Sequence, residues 1–104
     1  DDTLIVWMGE FGRTPGDGNG HFSKAWSTVW AGGGIQTGQV IGKTTEGPKS
    51  PGADIVDRPV TAPDFIGTLC LALGIDIHQE FLTPAKRPVP LVDKAAKPVQ
   101  ELLG

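Results

Sequence analysis

The sequence predicts an α/β chain, a few-stranded sheet with one main helix. Three observations carry this. An unbroken apolar run, Leu4-Ile5-Val6-Trp7-Met8, has the β-branched and aromatic content of a buried strand. A second stretch, Phe65 to Leu73, repeats its apolar residues at helical spacing. Between such runs lie 15 glycines and 9 prolines in a chain of 104 residues, placed as punctuation rather than as repeats.

In chain order, residues 3–8 (TLIVWM) read as a buried parallel strand and residues 9–24 as loop. Residues 26–31 (WSTVWA) alternate Trp26, Thr28 and Trp30 against Ser27, Val29 and Ala31, the period of a second strand, which Gly32-Gly33-Gly34 then breaks. Trp7, Trp26 and Trp30 are read as core. Residues 38–43 (GQVIGK) suggest a short strand, one arm of a hairpin across the glycines, and residues 44–54 an exposed loop. Thr61-Ala62-Pro63-Asp64 has the form of a helix start. Thr61 caps, Pro63 sits where its missing N–H is harmless, and Asp64 complements the dipole. Phe65, Ile66, Leu69, Cys70 and Leu73 then share one helical face, and Gly74 supplies the stop. Residues 75–88 read as irregular. "PVPLVD" (88–93) reads as an edge strand, where proline is tolerated, and "PVQELLG" as one helical turn.

Composition bounds the function classes. The length suits a single domain or part of one over residues 1–104, able to bury somewhat over ~60% of its unfolded surface. Net charge is −3 with no basic stripe, so nucleic acid is excluded as a partner, because neutralising phosphates needs clustered Lys and Arg. Cys70 is the single cysteine, which rules out an internal disulfide and a cysteine zinc cluster and reads as an inert thiol. No apolar run reaches the ~18 residues of a membrane span. A buried strand that begins at residue 3 needs neighbours on both sides. The expectation is therefore a piece of a longer protein whose N-terminal region is missing, or a homo-oligomer whose copies complete each other.

The chemistry-bearing residues gather in "GEFGRTPGDGNGH" (9–21). Glu10 follows the carboxyl end of the first strand, where ligands bind in open α/β sheets. It is a candidate metal ligand or general base, against the plainer reading of an ion pair with Arg13. Arg13 has the planar fork that matches sulfate, phosphate or carboxylate, against a surface salt bridge. His21 is suited to metal, base or anion roles, against simple solvation. Asp17 is explained by turn formation. Gly32-Gly33-Gly34 lacks the following Lys-Ser/Thr of a phosphate loop and reads as a tight turn. His78, in an acidic stretch with Asp76 and Glu80, reads as exposed.

The order of "DDTLIVWMGEFGRTP", "AWSTVWAGGGIQTGQVIGKT", "VDRPVTAPDFIGTLCLALGID" and "RPVPLVD" resembles the C-terminal part of the DUF1501 family over residues 1 to about 103. These mostly bacterial, exported proteins look like a divergent branch of the alkaline phosphatase and sulfatase superfamily. The resemblance implies a C-terminal fragment of an alkaline-phosphatase-like sandwich, a periplasmic or exported location, and a small sulfate or phosphate ester as substrate. Glu10 and His21 would bind a divalent metal ion, and Arg13 would act catalytically on the oxyanion. The superfamily's nucleophile lies in its N-terminal part, outside this chain. The chain departs from the pattern in several places, Asn19 standing for an arginine among them. Phe11 stands where the superfamily's Ser-Asp-His-Gly has its histidine, and Gly20 replaces an aspartate beside the second histidine. These departures motivate the alternative, a non-catalytic binding or structural protein of the cell envelope.

Overall fold

The structure is a computed structural model; residues 2–46 and 51–103 are described, so that positions 47–50 of the expected 44–54 loop lie outside the described residues. It is a mixed α and β chain that divides into two compact units, one of residues 5–31 and 38–59, the other of residues 1–4, 32–37 and 60–104.

The first unit holds three strand pairs. β1 (Leu4–Met8) pairs with β4 (Thr28–Gly32), the two strands expected from their apolar content, with Leu4 and Gly32 at their ends belonging to the other unit. Exposure alternates over Leu4–Trp7 and Thr28–Trp30, with Leu4, Val6, Thr28 and Trp30 half-buried and Ile5, Trp7 and Val29 exposed, but Met8 is exposed too and Ala31 half-buried, and no residue of β1, expected as a buried strand, is buried. Trp7, expected in the core, is 76% exposed. Trp30 is half-buried and its indole Nε1–H donates to Thr28 Oγ1 at 2.9 Å, a same-side pair two residues apart. The expected loop of residues 9–24 contains a small hairpin, β2 (Gly12–Arg13) and β3 (His21–Phe22), in antiparallel register.

The expected strand over residues 38–43 is a correction. Only β5 (Lys43–Thr44) forms, and it pairs across a bulge with β6 (Ile55–Asp57), not across the glycines. Thr45 fixes this pair. Its N–H donates to Asp54 O at 2.9 Å, its carbonyl accepts from Gly52 N at 2.8 Å, and its hydroxyl accepts from Ala53 N at 3.0 Å.

The second unit is built on α1 (Ala62–Ala72). The start is as the sequence specifies: Thr61 Oγ1 accepts from Asp64 N, and the Asp64 carboxylate accepts from Thr61 N, a reciprocal capping box. Gly74 follows with φ +76, the left-handed stop. The buried face differs from the apolar one. Asp64, Phe65, Gly67 and Thr68 are buried, while Ile66 and Leu73 are exposed. The reason is polar and long-range. Asp64 Oδ1 accepts from Lys97 N at 2.8 Å. Thr68, 0% exposed, accepts from Val99 N at 2.8 Å and donates to Asp64 O at 2.7 Å. Gly67 lies against Pro98 and Val92, and Phe65, Val92 and Val99 form the buried apolar core.

The segment expected as irregular includes β7 (Glu80–Leu82), which pairs antiparallel with β8 (Pro88–Pro90), the expected proline-bearing edge strand. A 3-10 turn over Gln100–Leu102 matches the expected helical turn, and Leu103 bridges to Ile35.

Candidate functional site

The hairpin β2–β3 carries two of the three residues singled out by sequence. Its register sets Arg13 directly opposite His21, and Gly12 opposite Phe22. Opposed residues of an antiparallel pair project to the same side, with Cβ atoms roughly 4.5–5.5 Å apart. Both side chains are exposed. Gly12 is required by contact: a Cβ there would fall on the carbonyl oxygen of Ala25, whose backbone passes against the strand.

Phe11 organises the pair. Its ring lies 3.9 Å from the His21 ring, centroid to centroid, at an interplanar angle of 30°. The Arg13 guanidinium carbon stands 5.4 Å from the Phe11 centroid, within cation–π range. A cation held over a ring face by this contact keeps N–H groups available for an anion. Phe11, read from sequence only as a group unable to coordinate, is the shared wall that holds both cationic or polar side chains. No local pattern announces this, because the contact depends on a strand register.

The loop joining the strands is rigid by its own hydrogen bonds. Thr14 N donates to Gly20 O at 3.0 Å, and Gly20 N donates to Thr14 Oγ1 at 3.0 Å. Asp17 accepts from Thr14 Oγ1 at 2.8 Å and from Asn19 N at 3.1 Å. The Asn19 amide, followed by the Thr14 hydroxyl, holds the Asp17 carboxyl below the usual aspartate value. Asp17 is thus the turn-former the sequence indicates.

Glu10 sits at the bend before β2, exposed. Its carboxylate takes no hydrogen bond or ion pair from any described residue, so the salt bridge to Arg13 is not formed. Among the described residues, no three of His, Cys, Asp and Glu gather where they could hold one metal ion. Glu10 and His21 are two donors, and a protein site wants three or four. His21 in addition rests its ring on Phe11, and among the described residues no carboxylate pairs with it. The donor set of this chain does not by itself fit a resident ion.

What fold and site define is a small mixed α/β chain with an exposed cation–aromatic cluster on a tight hairpin. It belongs to DUF1501, a family described as a protein of unknown function, whose model matches residues 1–103. No curated protein and no solved structure matches the chain. Among the described residues no helix is long and apolar enough to cross a membrane.

Proposed function

We propose that the β2–β3 hairpin is the oxyanion-holding part of a sulfate- or phosphate-ester hydrolase of the alkaline phosphatase and sulfatase type, with the chain forming part of its sandwich. One observation carries this reading: the register that opposes Arg13 and His21. A guanidinium edge and an imidazole on one side of a rigid hairpin make two convergent donors for a tetrahedral oxyanion. Arg13 binds and orients the ester oxygens. His21 adds a second donor through a ring N–H. The nucleophile comes from outside this chain, and no step is assigned to a metal. The exported location that the resemblance implies goes with this reading and is checked by cell fractionation.

Phe11 favours a second reading, a non-catalytic relative that keeps anion recognition without turnover, because it fills with a phenyl ring the place of a coordinating histidine. Titration of inorganic sulfate and phosphate into the chain, followed by amide NMR, tests the shared part. Shifts centred on residues 11–22, weakened about tenfold by Arg13→Gln, are expected. Shifts absent or unchanged in the variant would falsify both readings. Release of aryl alcohol from aryl sulfate or phosphate by the protein of origin, lost with Arg13→Gln, separates the hydrolase from the binding protein.

A further inference from the structure

We infer that Asn19 is a covalent modification site, losing its side-chain amide through a succinimide formed with Gly20, and that the Thr14 hydroxyl is the latch that sets the rate. The inference is independent of the anion site.

The sequence concentrates the chemistry. Asn19 is the only asparagine in the chain, and a glycine follows it. Asp17-Gly18, the only aspartate–glycine step and a second dipeptide open to the same ring closure, lies directly before it. With no Cβ, a following glycine lets its nitrogen reach the side-chain carbonyl without hindrance. Asn19 is exposed, so water has access to it.

The reaction balances with water alone. The Gly20 nitrogen gives up its proton and attacks the Asn19 side-chain carbonyl carbon. A five-membered ring closes and ammonia leaves. Water then opens the ring at either carbonyl, giving aspartate or isoaspartate. Either product carries a negative charge that asparagine lacks. Isoaspartate also routes the main chain through the former side chain, which lengthens it between Thr14 and His21, within the turn that sets the β2–β3 register.

The structure decides which dipeptide reacts and how fast. Thr14 holds both attacking nitrogens: Gly20 N donates to Thr14 Oγ1 at 3.0 Å, and Gly18 N donates to Thr14 O at 3.0 Å. A hydrogen bond donated by a neutral amide favours its protonated form, so the bond must open before the nitrogen attacks. Asp17 is spared. Its carboxylate accepts from Thr14 Oγ1 and Asn19 N, which keep it ionised, and an ionised carboxylate has no leaving group for ring closure. Asn19 has a neutral amide, and its reaction waits only on the bond from Gly20 to Thr14 Oγ1.

Incubation of the folded chain in mildly alkaline buffer, followed by intact mass, tests this, because one asparagine gives one mass step. Thr14→Val keeps the main-chain bonds, removes the acceptor, and speeds the step about fivefold, the weight of one neutral hydrogen bond. Thr14→Ser retains the oxygen and stays near the wild-type rate. The chain unfolded in guanidinium chloride reacts faster than the folded wild type, and Asn19→Gln shows no step. A valine variant at the wild-type rate, a serine variant as fast as valine, or a folded wild type as fast as the unfolded chain overturns the inference. One readout needs no variant. Across temperature the wild-type rate must follow hydrogen exchange of the Gly20 N–H, since both need the same bond open, and a rate that departs from it overturns the latch.

Discussion

Replacing Thr68 by valine removes one oxygen from the centre of the second unit and almost no volume. In the wild type that hydroxyl donates to Asp64 O and accepts from Val99 N, with the side chain fully buried. The two bonds are unequal. Asp64 O retains its place in the helical ladder when the hydroxyl goes, so its loss costs little. The Val99 N–H has no such second partner at hand and is left buried without an acceptor, which costs about 1–3 kcal/mol. Taking about 2 kcal/mol, a chain of this size loses roughly 8–16 °C in Tm. Thr68→Ser keeps the oxygen and loses one methyl, costing about 1 kcal/mol. Thermal and urea unfolding followed by circular dichroism give the order wild type, Ser, Val. A valine variant as stable as wild type, or a serine variant worse than valine, refutes the reasoning, because the methyl and not the hydroxyl would then be what the site needs.

Three further outcomes follow from the first unit. Gly12→Ala forces a Cβ onto the Ala25 carbonyl and destabilises the hairpin by about 1–3 kcal/mol, seen as loss of the β2–β3 cross-strand NOEs. Asp17 has its carboxyl lowered in the folded loop, so its contribution is fully present above the unfolded value of about 3.9 and is lost as pH falls through the lower folded value. The Asn19 and Gly20 amide shifts should therefore titrate with a midpoint below about 3.9, and a midpoint at or above it contradicts the Asn19 and Thr14 bonds. Addition of Zn, Ca, Mg or Mn to the isolated chain leaves Tm unchanged, as two donors at Glu10 and His21 imply; a rise that Glu10→Gln abolishes would reverse that conclusion.

Local chemistry was legible where the interaction is local. Thr61 and Asp64 lie three residues apart, and their capping box is readable from spacing alone. The strands at residues 4–8 and 28–32 follow from apolar and aromatic content. The buried face of α1 was not legible, because periodicity counts apolar residues, and this helix buries Asp64 and Thr68 against amides some thirty positions later. β2 and β3 are two residues each, too short for a period-two pattern. The signal that could have found them is the glycine-rich GDGNG turn between Thr14 and His21. For the site, Arg13 and His21 were indicated by type and brought together by register. Glu10 was indicated by its place after a strand and joins neither of them by an ion pair.

Thr45 ties residues 52–54 to itself through main chain and hydroxyl, so one side chain clamps the start of the segment that leads into β6. Thr45→Val keeps the main-chain bonds and removes the acceptor of the Ala53 N–H, so it should loosen the β5–β6 pair by about 1 kcal/mol and leave the Arg13–His21 hairpin in place.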